Sequence, residues 1–246
     1  MSDRIEVELD EARNERETER AARPIKPIQI GAVIRNARAF DMQYWRGAPR
    51  LMDDILQIVA ELFALLTQRK IKTVLVGGIA LLQYIQGRNT EDIDLIVAVS
   101  SLRKVPEIQI TSQDIYFARG QYKSLQIDFR LTRNPLFAHV QRTHTTTQQF
   151  LEQDIVSATV EGLVLLKLYA LPSLYRQGDF ARVGLYENDL ATLIYYHHPD
   201  LQKLAQELSR YVSETDLAAI RDVIADIERR IMRFQQGTDT DRGKRG

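Results

Sequence analysis

Two carboxylates two residues apart, Asp92 and Asp94, stand at the head of an apolar run, Ile93-Asp94-Leu95-Ile96-Val97. Residues i and i+2 of a strand point to the same face, so both carboxylates aim one way and Ile93 the other. Like charges held that close repel unless a cation lies between them. Hard oxygen donors of this kind suit Mg²⁺ (or Mn²⁺), which takes one or two carboxylates together with substrate phosphates. Upstream, Val74-Leu75-Val76 runs into Gly77-Gly78. A Gly-Gly turn lets backbone N–H groups approach a phosphate and sets a helix N-terminus behind it. Alone, an Asp-x-Asp pair is commonly a solvated strand start, and Gly-Gly a tight turn. Together, a phosphate cradle beside a carboxylate pair points to nucleotide chemistry.

The elements that must position these residues follow from periodicity. Met52, Ile55, Leu56, Val59, Leu62, Phe63 and Leu66 recur at the three-four spacing of a buried helical stripe, which predicts a helix over Leu51–Gln68. Thr73–Val76 reads as a strand, Gly78 to about Gln86 as a helix closed by Gly87, and Asp92–Val99 as a central strand. Shorter strands are expected at Glu107–Thr111 and Ile115–Arg119. In Ser124–Leu131 the residues Leu125, Ile127, Phe129 and Leu131 face one way, and Gln126, Asp128 and Arg130 the other. From about residue 134 the pattern turns helical. A helix capped by Thr159 is expected to end at Pro172, with others over about 183–197, 199–212 and 215–235.

The chain has 246 residues, enough for one large domain or two small ones. Lys+Arg and Asp+Glu balance at 33 each, so net charge gives no sign of a large nucleic-acid footprint. The absence of cysteine excludes disulfides and thiolate metal sites. No apolar run reaches membrane-spanning length, and the N-terminus leads into charge rather than a signal-peptide core, so a cytoplasmic location is the default. Residues 1–24 are dense in Glu and Arg and read as a flexible charged arm, with an α/β domain over 25–145, a helical domain over 146–235 and a disordered tail over 236–246. Ile28, Ile30 and Val33 fit a short strand.

Asp128 is the third piece of chemistry. If its strand lies beside the Asp92–Val99 strand, three carboxylates converge, as an in-line phosphoryl displacement between metal ions requires. The set Gly77-Gly78, Arg88-Asn89-Thr90-Glu91-Asp92-Ile93-Asp94-Leu95 and Ile127-Asp128-Phe129 resembles the nucleotidyltransferase superfamily with its polymerase-β-like fold. It looks closest to the small prokaryotic branch of AbiEii-type and MenT-type toxins. The resemblance covers roughly residues 50–131 and extends more weakly to about 195. It implies a mixed α/β (α+β) sheet with helices, followed by an all-helical C-terminal half. It implies that Asp92, Asp94 and Asp128 bind metal and act in catalysis, and that Gly77, Gly78, Arg88 and Thr90 contact the nucleotide. Family members also carry a helical Lys and a later Asp; Lys167 and Asp189 are the matching positions, which implies that both contact the nucleotide and that Lys167 acts in catalysis as a point charge for a phosphate. Glu187-Asn188 stands where the family commonly has a Lys-Asp pair.

The function implied is Mg²⁺-dependent transfer of a nucleoside monophosphate from an NTP to a hydroxyl, with pyrophosphate released. The acceptor would be an RNA end, tRNA foremost, or a protein side chain, in a toxin–antitoxin or phage-defence setting with a cognate antitoxin as partner. A small-molecule acceptor of the aminoglycoside type stays open. Arg46, Arg50, Arg130, Arg133 and Arg142 are candidates for a local basic patch, with Arg176 for the nucleotide. One alternative is a non-catalytic protein of the same fold, binding a partner through its helical half. Another is a glycosyltransferase using Asp-x-Asp, which leaves Asp128 unexplained. Each candidate also has a plainer reading: Lys167 can snorkel from a core helix, Asp189 can be a helix-surface charge, and Arg88 can pair with Glu91 or Asp92. The four histidines, His139, His144, His197 and His198, show no metal spacing with the carboxylates. Tyr175 and Tyr186 are candidates for stacking on a base.

Overall fold

The computed structural model describes residues 49–85, 92–150 and 153–242, with side chains over 57–85, 92–150 and 153–236. The charged arm, the candidate strand at Ile28–Val33, Gly87, Arg88, Thr90, Arg46 and the Arg50 side chain lie outside the described parts. In chain order the elements are α1 (Pro49–Gln68), β1 (Thr73–Val76), α2 (Gly77–Leu81), β2 (Ile93–Val97), α3 (Val99–Leu102), β3 (Gln109–Gln113), β4 (Phe117–Tyr122) and β5 (Leu125–Leu131). There follow α4 (Pro135–Thr143), β6 (Thr145–Phe150), β7 (Gln153–Ala158), α5 (Val160–Gln177), α6 (Phe180–His197), α7 (Leu201–Leu208) and α8 (Glu214–Arg242). The strands form one mixed sheet in the order β3-β4-β5-β2-β1-β7-β6. After β7 the chain is helical, so the architecture is the α/β sheet with a helical C-terminal half.

The alternation along β5 appears as expected: Leu125, Ile127, Phe129 and Leu131 are buried. They face the core beneath α1, whose Val59, Leu62, Phe63 and Leu66 are buried in the same cluster. Each such side chain contributes about 1.5–3 kcal/mol by leaving water, and that burial fixes the register, because a one-residue slip would turn every apolar side chain outward. The same register forces the opposite face of β5 to present Gln126, Asp128 and Arg130.

Four expectations need correction. The chain does not turn helical from residue 134: α4 is followed by β6 and β7, which return to the sheet as an antiparallel pair, with β7 parallel to β1. The Thr145-Thr146-Thr147 run carried the β-branched signal, but β6 is an edge strand with a polar outer face, so its alternation is faint. The Thr159 helix does start with its hydroxyl accepting from Gly162 N at 3.3 Å, but it does not end at Pro172. Buried Leu168, Leu171 and Leu174 hold it in the core on both sides of the proline, and it stops at Gly178, whose φ of 67° is the left-handed cap. The helix after Gly77-Gly78 is short, ending at Leu81 rather than about Gln86. At the other end, α8 continues past Gln236 to Arg242. Among the described residues no helix is long and apolar enough to cross a membrane.

Candidate active site

Strand register assembles the carboxylates. β2 pairs in parallel with β5 so that Asp94 lies opposite Asp128. β1 sets Val76 opposite Asp94, and β4 sets Arg119 opposite Asp128. Val76, Asp94, Asp128 and Arg119 thus form one row across four strands, and neighbouring strands stand roughly 4.8 Å apart. Gln126 and Arg130 flank Asp128 on the same face; Gln126 Nε2 donates to Asp92 Oδ1 at 3.2 Å. All three predicted carboxylates therefore meet at one end of the sheet and line a cleft of about 970 Å³ together with Gly77 and Gly78.

Gly77 has a structural reason for its identity. Its φ is +68°, and a Cβ there would lie 1.7 Å from Asp94 Oδ2. The carboxylate of Asp94 occupies the space that any side chain at 77 would need, in a backbone conformation that L-residues resist. Gly78 behind it is buried in α2. With only five residues in α2, the turn presents its first free N–H groups rather than a long helix dipole.

Two arginines hold these carboxylates: Arg130, already on the Asp128 face in the sequence, and Arg119, which sequence pattern missed. Arg119 clamps Asp128 through two parallel hydrogen bonds, Nε to Oδ1 at 2.8 Å and Nη2 to Oδ2 at 3.0 Å. Arg130 Nη1 contacts Asp94 Oδ1 at 2.5 Å. The Arg119 side chain is 51% exposed, and that of Arg130 only 18%, so Arg119 can swing aside for a ligand while Arg130 is held. Burial works against charge on Arg130, but Asp94, with Tyr186 and Asp128, keeps it firmly protonated. The signal for Arg119 was its place in a β-rich segment preceding Asp128; only the hairpin register reveals the pair.

Asp92 carries the strain of the cluster. Burial pushes its carboxyl up from the ordinary value, Asp128 and Asp94 push it further, and Arg119 and Arg182 only partly oppose them. The three carboxylates offer the hard oxygen donors that a divalent cation takes, but they are not among the described residues whose ligand atoms already lie within 4.8 Å of one another, and Arg130 and Arg119 hold Asp94 and Asp128.

Lys167 and Asp189 come together, but with each other: Lys167 Nζ lies 2.7 Å from Asp189 Oδ2, and both side chains are buried. The ammonium also sits 4.1 Å from the Tyr186 ring centroid. Lys167 and Tyr186 line the cleft. Arg176 and Arg182 line it too, Arg176 at 2.5 Å from Asp216, whereas Arg133 and Arg142 of the expected basic patch do not. Tyr175 is turned away and its hydroxyl bonds Glu187, while Tyr116, Phe117 and Tyr169 join Tyr186 as ring faces in the cleft.

No histidine lines the cleft with Asp92, Asp94 and Asp128, but two of them meet a different carboxylate elsewhere. His139, His144 and Glu207 bring ligand atoms to within 4.8 Å of one another. The two histidines are five residues apart, but the carboxylate comes from a helix far along the chain, which no local spacing announces. His197 behaves as a helix end, its ring 3.0 Å from the Tyr84 carbonyl, with His198 in the left-handed region before Pro199.

No family model matches this chain, and no curated protein was found similar to it. Among solved structures, it is similar to ANT(2")-Ia in complex with adenylyl-2"-tobramycin, at 11% identity over 69% of this chain and 98% of that one, with a TM-score of 0.44. The solution structure of the antibiotic-resistance factor ANT(2")-Ia gives 12% identity over 72% of this chain and 97% of that one, TM-score 0.47. An antigenic nucleotidyltransferase-like protein from Paracoccidioides brasiliensis gives 18% identity over 70% and 93%, TM-score 0.43. These solved neighbours are nucleotidyltransferases or resemble them. Likeness this distant decides nothing about chemistry, which rests on the residues of this chain.

Proposed function

We propose that the chain is a divalent-cation-dependent nucleotidyltransferase that moves a nucleoside monophosphate from an NTP to a hydroxyl. The observation that carries this reading is the register of Asp94 against Asp128 on parallel strands, with Gly77 cleared for the Asp94 carboxylate. Asp92, Asp94 and Asp128 would hold Mg²⁺ or Mn²⁺. When bound, the ion supplies charge neutralisation and Lewis acidity at the phosphates. The N–H groups at Gly77 and Gly78 face the phosphates, and Arg119, released from Asp128, offers them a planar pair of donors. Asp128 accepts the proton of the attacking hydroxyl; that oxygen bonds the α-phosphorus as the bond to pyrophosphate breaks. Arg130 keeps Asp94 aligned. Lys167, paired with Asp189, fixes part of the cleft wall, and the rings of Tyr116, Phe117, Tyr169 and Tyr186 offer faces for a base.

The acceptor we favour is an RNA end, tRNA foremost, or a protein side chain, in a toxin of the AbiEii or MenT kind with a cognate antitoxin. Arg176 and Arg182 at the cleft support a polyanionic acceptor. The deciding experiment incubates the protein with Mg²⁺, each α-³²P-labelled NTP and total tRNA, with the Asp92→Ala/Asp94→Ala protein as control. Label on RNA or protein, lost in the control, is the expected result. Absence of transfer from every NTP, while nucleotide still binds, would shift the reading to a small-molecule acceptor of the aminoglycoside type or to the non-catalytic binding protein of the same fold.

A further inference from the structure

His139 lies on α4, His144 is the residue that ends α4 and precedes β6, and Glu207 lies in the last turn of α7. Three elements from two parts of the chain thus aim donor atoms at one point. His144 Nε2 lies 2.8 Å from Glu207 Oε1, and His139 Nε2 contacts the same oxygen. The two imidazole rings stand edge to face, centroids 5.5 Å apart, at 70°. All three side chains are mostly buried, at 15–16% exposure.

We propose that this trio is a second metal site, for a borderline transition ion of the Zn²⁺ type. Two imidazole nitrogens and one carboxylate oxygen are the donor types that Zn²⁺ takes, with a fourth position left for water. Mg²⁺, which demands oxygen ligands, does not compete well here. The surroundings preorganise the donors. The His144 backbone is locked by Thr159 N donating to its carbonyl at 3.0 Å, and it packs so tightly on Gly162 that a Cβ there would lie 2.9 Å from the His144 Cβ. The Tyr211 ring lies beside His139, centroids 5.5 Å apart.

The site ties the α4–β6 junction to the end of α7. Tyr211, four residues beyond Glu207, lines the cleft together with Val212, Ser213 and Asp216. A bound ion would therefore fix one wall of the cleft to the sheet. This assignment stands independently of nucleotidyl transfer, because none of its donors belongs to the carboxylate cluster.

The test uses the full chain, stripped with chelator and dialysed against micromolar Zn²⁺ in millimolar Mg²⁺, with retained zinc measured by atomic absorption. Wild-type protein and the Asp92→Asn/Asp94→Asn variant should each retain one equivalent, and loading should raise Tm. His139→Ala/His144→Ala should retain none, and Glu207→Gln, which keeps size and hydrogen bonding, should bind at least about tenfold more weakly. Co²⁺ loading should give d–d absorption in the wild type that these variants lose. Should the double-histidine variant fail to fold by circular dichroism, Glu207→Gln decides. The proposal is overturned if wild type retains no zinc, if Glu207→Gln retains it equally, or if the zinc is lost with the aspartate pair.

Discussion

The carboxylate end of the sheet and the His139–His144–Glu207 trio are both convergent sets of ligand-type side chains, but they are built by different means. Asp94 and Asp128 face one another because two strands pair in one register, and apolar burial on the far face enforces that register. Moving one of them means moving a strand. The trio depends on how α7, packed against α5 and α8, carries Glu207 to the end of α4, with no backbone ladder between them. Their electrostatics differ as well. In the first set burial, and then the like charges of Asp128 and Asp94, push Asp92 up. In the second, burial opposes the charge on Glu207, but hydrogen bonds from His144 and His139 prevail and hold its carboxyl low. One set is destabilised until a cation arrives; the other already satisfies its one carboxylate. Ligand binding should therefore change stability more at the first.

The largest effect expected is on activity. Asp94→Ala should lower nucleotidyl transfer by on the order of a hundredfold or more while leaving the far-UV spectrum unchanged, measured with labelled NTP. Wild-type rates in that variant would remove the carboxylate end from the comparison as a reacting site. Next comes Lys167→Met, which takes the cation from the buried pair with Asp189. Urea unfolding should show a loss of about 3–5 kcal/mol, and adding Asp189→Leu should recover much of it. A single variant of wild-type stability would mean that the pair serves the cleft and not the fold.

Gly77→Ala should cost about 2 kcal/mol or more and should lower activity with it, since the new Cβ collides with the Asp94 carboxylate at a left-handed φ. Stability and rate falling together distinguishes it from Asp94→Ala. The smallest effect has the opposite sign. The Asp92 carboxyl is raised above its ordinary value of 3.8 in the folded protein, so its charge disfavours folding at any pH above the raised value. Asp92→Asn should therefore raise Tm by a few degrees at neutral pH without divalent ions. The gain should shrink as pH falls through the raised value and vanish below the ordinary one. Mg²⁺ should narrow the gap by stabilising wild type alone. A lower Tm for Asp92→Asn at neutral pH would show that the crowding is already relieved by Arg119 and Arg182.

Asp92, Asp94, Asp128 and the Gly77 turn were legible because each is written in a local period. Two residues apart on a strand means one face, and Leu125, Ile127, Phe129 and Leu131 declare which face of β5 is buried. The sheet pairing was legible only as a condition on Asp128, and β6 and β7 were missed because a polar edge strand shows little alternation. Lys167 and Asp189 were each singled out, yet their partnership joins two helices and leaves no mark in either segment.

The sequence by itself determined the two central strands, the glycine turn between β1 and α2, the carboxylates that share a face, and the capped start of α5, since all follow from contacts within a few residues. Only the tertiary structure decided which arginine clamps which carboxylate, that Lys167 is spent on Asp189, and that Glu207 meets two histidines more than sixty residues earlier. Contacts of that second kind arise when elements dock, and docking is set by the summed burial of whole faces. The polar residues brought together at such a junction need carry no spacing of their own.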